Sequence, residues 1–170
     1  MSPRLAAAIE IAVAAGRSTL AHFGQPLEIE RKADDTPVTV ADRAAERLAR
    51  EMIAADFPGE AILGEEEGTT GEAPDRWVID PIDGTKSFVC GVPLYATLIS
   101  YEQNGVPILG VVYLPALNEL VYAERGGGCF WNGRLARVSS HPTLEGSTVC
   151  SAGHKSMYQY KLSEGMERLT

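Results

Sequence analysis

The sequence has 170 residues, of which 45% are hydrophobic and 22% charged, and its formal net charge is -8. This composition is typical of a soluble globular protein and excludes a disordered, collagen-like or membrane class. The negative charge also argues against a nucleic-acid partner, because phosphate backbones are bound by clustered Lys and Arg. We therefore expect one domain, or one and part of a second, with no nucleic-acid and no membrane partner.

Cysteine spacing and the N-terminal pattern both indicate a cytoplasmic protein. Cys90, Cys129 and Cys150 are an odd number of widely spaced cysteines, which favours a reducing compartment over a disulfide framework. The apolar stretch at 5–15 is interrupted by Glu10, and its apolar residues repeat at helical spacing. This pattern predicts an amphipathic helix and not a signal peptide.

In chain order, the pattern predicts two helices and then a strand-rich body. The first helix is the amphipathic stretch that reaches Leu20. The second begins after Thr39, which Asp42 follows three residues later in a capping-box pattern, and it ends near Phe57. Strands are predicted at 61–63, 77–79, 94–102, 106–114, 119–124 and 129–131, with another strand-like run at 148–150 and a helical pattern after it.

The order of these elements predicts the fold class. Asn104-Gly105 is a strong hairpin signal between two of the strands, and successive hairpins imply antiparallel pairing. We therefore predict an α/β fold of the layered α+β type, in which helices pack on one face of a mostly antiparallel sheet.

Two aspartates follow an apolar strand in the stretch WVIDPIDGTKSF. Asp80 and Asp83 flank Pro81, which lacks a backbone donor and resists helix, so both carboxylates can converge on one point. Close carboxylates repel each other unless a cation or a proton lies between them, and oxygen ligands favour a hard ion such as Mg2+. The Ile82 carbonyl is a natural further ligand, and the acidic triplet 65–67 could supply a third carboxylate.

Gly84 and Thr85 follow directly, at a predicted helix start whose free N–H groups could hold a phosphate. A metal on one side of a phosphate and amide donors on the other are what phosphoester hydrolysis requires. A structural interpretation stays open for each acid alone. Aspartates after strands are common turn residues, Asp42 is explained by the capping box, and Glu66 and Glu67 by solvated loop charges.

Several motifs together resemble the inositol monophosphatase family of metal-dependent phosphatases. They are DPIDGT at 80–85 with WVI before it, GEE at 64–66, the K-x-D-x-T-P-V-T-x-A-D pattern at 32–42, GVVY at 110–113 and WNG at 131–133. The resemblance covers most of the chain and implies a sandwich fold like that of the inositol monophosphatases and fructose bisphosphatases.

The resemblance also implies a metal site for Mg2+. In the family, the acids at the positions of Glu65 and Asp80 bind one ion together with the backbone oxygen at the Ile82 position. Asp80 and Asp83 hold a second ion.

Catalytic roles follow from the same resemblance. The family threonine, here Thr85, is held by the acid at the Asp42 position and helps to activate the attacking water, with Glu65 completing the catalytic set. The amides of Gly84 and Thr85 receive the substrate phosphate. The reaction is then direct attack of a metal-activated water, with no covalent phospho-enzyme.

The substrate implied is a small phosphorylated metabolite. The run DGTKSF followed by GVPLYATLI resembles the histidinol-phosphatase branch, which implies histidinol phosphate and a place in histidine biosynthesis. An inositol monophosphate is the close alternative, and a broad sugar-phosphate or nucleotide phosphatase stays open. The resemblance further implies a homodimer for a full-length protein.

One departure from the family concerns its second lobe, which carries a Trp-Asp motif. Here Trp77 and Trp131 are followed by Val78 and Asn132, so this motif is missing. We expect residues 1–147 to form an N-terminal metal- and phosphate-binding lobe and 148–170 to begin a truncated, largely absent second lobe. A hypothesis of another class is a non-catalytic remnant that binds cations or a partner through an exposed sheet edge.

Overall fold

The computed structural model describes residues 1–26, 29–31, 37–143 and 145–148. The chain divides into two compact units, Met1–Ala136 and Arg137–Thr170. The described residues of the second unit form no helix or strand, and Thr148 is among them. The rest of the predicted strand at 148–150 and the helical pattern after it lie outside the described residues.

The described residues form three helices, of which the first two have side-chain caps at their N-termini. They are α1 Pro3–Thr19, α2 Val40–Asp56 and α3 Thr85–Val89. Ser2 caps α1 by accepting a hydrogen bond from the Leu5 amide at 3.1 Å. No helix within the described ranges is long and apolar enough to cross a membrane.

The described strands form one large sheet and one small ribbon. They are β1 Glu30–Arg31, β2 Pro37–Val38, β3 Ala61–Gly64, β4 Gly68–Thr70, β5 Arg76–Asp83, β6 Ala96–Gln103, β7 Val106–Leu114, β8 Glu119–Glu124, β9 Gly128–Trp131 and β10 Arg134–Ala136. The ribbon pairs β1 with β2, and the eight-stranded sheet has the order β10-β9-β8-β7-β6-β5-β3-β4. Its one parallel pair among the described strands is β3 with β5, so the predicted mostly antiparallel sheet is confirmed.

The helices α1 and α2 pack together on one face of the sheet. Alternate residues of β5, such as Trp77 and Ile79, join Ile11 of α1 and Ile53 of α2 in one buried cluster. Alanines at the helix contacts let the helices approach closely, and Trp77 satisfies its ring N–H by donating to Glu60 Oε2 at 2.8 Å. The predicted layered fold is therefore confirmed.

The strand that carries the aspartates is longer than predicted. It does not end at Ile79 but runs through Pro81 to Asp83, with a register shift against β6 between Asp80 and Asp83. A proline is tolerated there because an irregular position in a sheet needs no ladder donor. The Pro81 carbonyl is satisfied from the side by the Thr97 hydroxyl at 2.8 Å.

The short strands β1, β2, β4 and β10 were not predicted, because two or three residues carry no readable alternation. The predicted hairpin is confirmed. Asn104 and Gly105 both have positive φ, 50° and 73°, as a two-residue turn of type I′ requires.

Gly16 gives a test of the helix-on-sheet packing. A Cβ added there would lie 2.7 Å from Cδ1 of Tyr113 and 3.0 Å from Cγ of Pro115. Alanine gains at most about 1 kcal/mol of helix propensity over glycine, whereas overpacking costs about 1–3 kcal/mol. The Tyr113 ring is buried and its hydroxyl donates to Asn118, so it cannot move aside freely. We expect Gly16→Ala to lower the free energy of unfolding in urea by about 1–2 kcal/mol.

The matched control is Gly110→Ala. An added Cβ at Gly110 meets nothing within 4 Å, so the unfolding free energy should stay within about 0.5 kcal/mol of the original. Equal losses in the two variants would contradict the close packing at Gly16.

Candidate active site

A cavity of about 210 Å3 opens at the carboxyl end of β5. It contains every site residue predicted from the sequence apart from Asp42, which reaches it through Thr85. The cavity is lined by Pro37, Glu65, Asp80, Ile82, Asp83, Gly84, Thr85 and Lys86.

The end of β5 is anchored by a small apolar cluster. Ile82 is 1% exposed and packs in a small apolar cluster with Ala41 of α2, Phe88 of α3 and Tyr95. Asp83 follows it and is exposed. The anchored Ile82 thus fixes the backbone between the two aspartates.

The parallel pairing of β3 and β5 brings Glu65 beside Asp80. Gly64 pairs with Ile79, and the Glu65 amide donates to the Ile79 carbonyl at 3.1 Å. The side chains of Glu65 and Asp80 are hydrogen-bonded to each other. Two acids from separate strands therefore share one point at the cavity wall.

This pairing changes the acidity of Asp80. Burial in the first place, then the hydrogen bond and charge of Glu65 and the charge of Asp83, raise the pKa of Asp80 to about 8. A hydrogen bond from the Ile82 backbone opposes the shift. The pKa of Asp80 thus lies well above the ordinary carboxyl range, so a proton on Asp80 persists toward neutral pH.

Asp42 is buried on the first turn of α2 and serves two contacts at once. Its Oδ2 accepts from the Thr39 amide at 2.8 Å and from the Thr39 hydroxyl at 2.6 Å, so the predicted capping box is confirmed. Its Oδ1 lies 3.5 Å from the Thr85 hydroxyl. Burial raises the pKa of Asp42, the hydrogen bonds from Thr39 oppose this, and the charge of Glu65 adds to the rise.

The Thr85 hydroxyl has two acceptors for one proton. Thr85 Oγ1 lies 3.1 Å from the Ile82 carbonyl and 3.5 Å from Asp42 Oδ1. In this structure the shorter contact is to Ile82. A small rotation of the side chain would transfer the hydrogen bond to Asp42 and free the Ile82 carbonyl.

Gly84 makes the sharp turn from β5 into α3. Its φ is 87°, and a Cβ there would lie 3.2 Å from the Leu94 carbonyl. The Gly84 and Thr85 amides stand at the first turn of α3, where N–H groups have no intrahelical acceptor. Because α3 has five residues, its macrodipole is small, and any bound anion depends on the individual amides.

The oxygen atoms at this cavity are ligands of the kind that a hard cation prefers. Asp80 Oδ1 is buried and has no hydrogen-bond partner within the described part of the chain. No three His, Cys, Asp or Glu side chains in the described ranges are grouped closely enough to form a ready metal site. The candidate ligands are therefore the Glu65–Asp80 pair and the Ile82 carbonyl, with Asp83 exposed at the rim of the cavity.

Sequence reasoning missed two residues of the lining. Pro37 of β2 stands in the T-P-V-T run, and Lys86 places a cation at the cavity one residue after Thr85. Lys86 could have been singled out from its position directly after the phosphate-binding pattern. Pro37 could not, because only the fold brings β2 to this cavity.

The raised pKa of Asp80 predicts a pH-dependent stability in the absence of metal. Between the ordinary pKa of 3.8 and about 8 the folded chain binds a proton that the unfolded chain has released. Stability must therefore fall as pH rises through this window. We expect the thermal midpoint in EDTA to fall between about pH 5 and pH 8, and Asp80→Asn to remove much of that fall.

Asp56→Asn is the control, since Asp56 is an exposed acid at the end of α2. It should keep the slope of the original chain. Parallel slopes for the original chain and Asp80→Asn would show that Asp80 does not hold the proton.

The sequence matches the model of the inositol monophosphatase family over residues 1–169. It is 50% identical over 152 residues to a histidinol-phosphatase of Chlorobaculum parvum, an alignment that covers 88% of this chain and 58% of that protein. It is 40% identical over 168 residues to a fructose-1,6-bisphosphatase/inositol-1-monophosphatase of Thermotoga maritima, covering 98% of this chain and 65% of that protein. The chain thus spans less than two thirds of the length of these relatives.

Solved structures show the same fold. The structure matches an inositol monophosphatase of Thermotoga maritima with a TM-score of 0.85 at 38% identity, covering 99% of this chain and 66% of that one. It matches the extragenic suppressor protein SuhB of Bartonella henselae with a TM-score of 0.80 at 35% identity, covering 84% of this chain and 57% of that one. Because the family model matches residues 1–169 of the 170, this chain belongs to the inositol monophosphatase family.

Proposed function

We propose that this chain carries the metal- and phosphate-binding part of a Mg2+-dependent phosphomonoesterase whose substrate is histidinol phosphate. The observation that carries the proposal is the pairing of Asp80 with Glu65 at the cavity, where the buried Oδ1 of Asp80 has no hydrogen-bond partner within the described part of the chain. The proposed lobe is residues 1–147, with 148–170 beginning a second lobe. The whole protein is proposed to be a cytoplasmic homodimer that acts in histidine biosynthesis.

The proposed ligands of Mg2+ are oxygens on one side of the cavity. Glu65, Asp80 and the Ile82 carbonyl would hold one ion, and Asp80 with Asp83 a second. When bound, Mg2+ neutralises phosphate charge and lowers the pKa of a water molecule. Glu65 and Asp83, whose charges help to raise the pKa of Asp80, would repel the Asp80 carboxylate less with a cation held among them.

The proposed phosphate site is the turn between β5 and α3. The amides of Gly84 and Thr85 would bind phosphate oxygens, and Lys86 at the same cavity adds positive charge. When the Thr85 hydroxyl donates a hydrogen bond to Asp42, its oxygen lone pairs can accept a hydrogen bond from a water in the cavity. Thr85 and Asp42 thus orient the nucleophile for direct attack, without a covalent phospho-enzyme.

Cavity size limits what the site can enclose. Pockets that bind a whole small molecule usually measure about 300–1,000 Å3. The cavity of about 210 Å3 suits a phosphate group, so the organic part of the substrate must extend beyond it. This fits a mechanism in which the residues described here handle the phosphate and other contacts select the rest of the substrate.

Histidinol phosphate is favoured by the 50% identity to a histidinol-phosphatase and by the DGTKSF run. An inositol monophosphate is the second candidate, because the Thermotoga maritima relative matches nearly the whole chain and is named for inositol and fructose phosphates. A broad sugar-phosphate phosphatase follows from the same relative.

The test is phosphate release by the purified chain, with Mg2+ and with EDTA, from histidinol phosphate and inositol 1-phosphate side by side. We expect Mg2+-dependent release that is faster with histidinol phosphate. Faster release from inositol 1-phosphate would move the assignment to the second candidate. A folded chain that releases no phosphate but binds Mg2+ in calorimetry would support the non-catalytic hypothesis for this chain, and one that binds no Mg2+ would overturn the metal site.

Asp83 gives a second prediction. Its carboxylate is exposed at the cavity rim, so its removal should leave the fold intact while weakening the second ion site. In a form of the protein that releases phosphate, we expect Asp83→Asn to lower Mg2+-dependent release by about 100-fold or more. The measurement is the rate of release against Mg2+ concentration.

Asp75→Asn is the matched control, because Asp75 precedes β5 and accepts from the Asn104 amide far from the cavity. It should keep the original rate. Unchanged release in Asp83→Asn would exclude Asp83 from the proposed site.

A further inference from the structure

Among the described residues, Glu46 is the most deeply buried carboxylate outside the cavity lining. It lies on α2 one turn after Asp42, and it is 0% exposed. A carboxylate in such a place is costly unless hydrogen bonds and an opposite charge compensate it. Its partners therefore show what it does.

Two of these partners are amides of the turn between β3 and β4. The Glu66 amide donates to Glu46 Oε2 at 2.7 Å, and the Glu67 amide donates to Glu46 Oε1 at 3.0 Å. The Glu65 amide already donates to the Ile79 carbonyl at 3.1 Å. All three amides of the turn are thus bound, one by β5 and two by a single side chain of α2.

Arg50 supplies the opposite charge one helical turn further along α2. Its Nε donates to Glu46 Oε1 at 2.9 Å, and its guanidinium also donates to the Thr70 hydroxyl at 2.9 Å and the Gly68 carbonyl at 2.5 Å. Both ends of the turn are therefore bound to one face of α2. Charge-assisted bonds of this kind hold geometry more tightly than neutral ones.

Gly64 allows this close approach. A Cβ at Gly64 would overlap the Glu46 carboxyl group and lie 2.5 Å from Arg50 Nη2. Only a residue without a side chain leaves space for a carboxylate against the backbone here. The contact between helix and turn is thus specified from both sides.

We infer that Glu46 is a positioning residue for the site: by binding the Glu66 and Glu67 amides it fixes the turn so that the Glu65 carboxylate faces Asp80. The expected effect on Mg2+ affinity rests on the proposed function. The effect of Glu46 on the position of the turn does not depend on that function. Glu46 touches neither the cavity nor the reacting groups, so it acts through Glu65 alone.

The test uses Glu46→Gln in the whole chain. The substitution keeps the shape of the side chain but replaces one acceptor oxygen by an NH2 group that faces a backbone N–H. We expect faster hydrogen exchange at the Glu66 or Glu67 amide, and an affinity for Mg2+ in calorimetry that is about 10-fold weaker or more. Both measurements are made without substrate.

Glu51→Gln is the matched control, because Glu51 is an exposed acid on the same helix. It should leave exchange and Mg2+ affinity unchanged. Gly64→Ala tests the same contact without removing a charge, since the added Cβ pushes the Glu46 carboxyl away. It should reproduce both effects, and it decides the matter if Glu46→Gln does not fold.

The outcomes separate this inference from the proposed function. Faster amide exchange with unchanged Mg2+ affinity, or unchanged exchange, would overturn the positioning role. If the original chain binds no Mg2+, the proposed function fails, and the 13C carboxyl resonances of Glu65 and Asp80 then decide the inference. They must shift in Glu46→Gln if the turn positions Glu65, and unshifted resonances would overturn it.

Discussion

The parallel pairing of β3 with β5 is the constraint on which the site depends. Strands that run in parallel bring their carboxyl ends to one edge, so the residues after Gly64 and after Ile79 meet. These residues are Glu65 and Asp80, and the pairing places them at neighbouring strand ends. In an antiparallel pair the same two acids would lie at opposite ends of the sheet.

Helix α2 connects this edge to the rest of the site through one polar stripe. Asp42, Glu46 and Arg50 are spaced by four residues and therefore lie on one face of the helix. The first contacts the Thr85 hydroxyl, and the other two contact the β3–β4 turn. A single rigid helix thus sets the distance between the turn that carries Glu65 and the turn that carries Thr85. The apolar face of the same helix, with Ala45, Ala49 and Ile53, packs in the core.

Local patterns explain which features could be predicted from the sequence. The capping box at Thr39, the hairpin at Asn104-Gly105 and the apolar faces of α1 and α2 depend on neighbouring residues, and all three were predicted. The DPIDGT run also pointed to the cavity residues, since five of its six residues line one space.

Other features that depend on contacts distant in the chain were not predicted. The predicted strand ended at Ile79, but a hydroxyl from β6 and a bulge let it continue through Pro81 to Asp83. Glu46 was not singled out, because its partners in the turn are 20 and 21 residues away. Gly64, which makes room for the Glu46 carboxyl group, does not have the positive φ that marks a glycine in a turn, so the turn pattern did not predict this contact. Only the folded chain shows that Glu46 and Gly64 lie against the turn that carries Glu65.

The carboxylate pair also links stability to ligand binding. A buried acceptor without a partner costs about 1–3 kcal/mol, and Asp80 Oδ1 has no hydrogen-bond partner within the described part of the chain. Burial of the apolar core between sheet and helices offsets that free energy. A cation that binds only the folded chain would stabilise it, by a free energy that grows with the ligand concentration and the affinity. The same burial that makes Asp80 hold a proton near neutral pH would therefore make the proposed Mg2+ site a stabilising one when filled, with Glu46 and Arg50 keeping the second carboxylate in place for it.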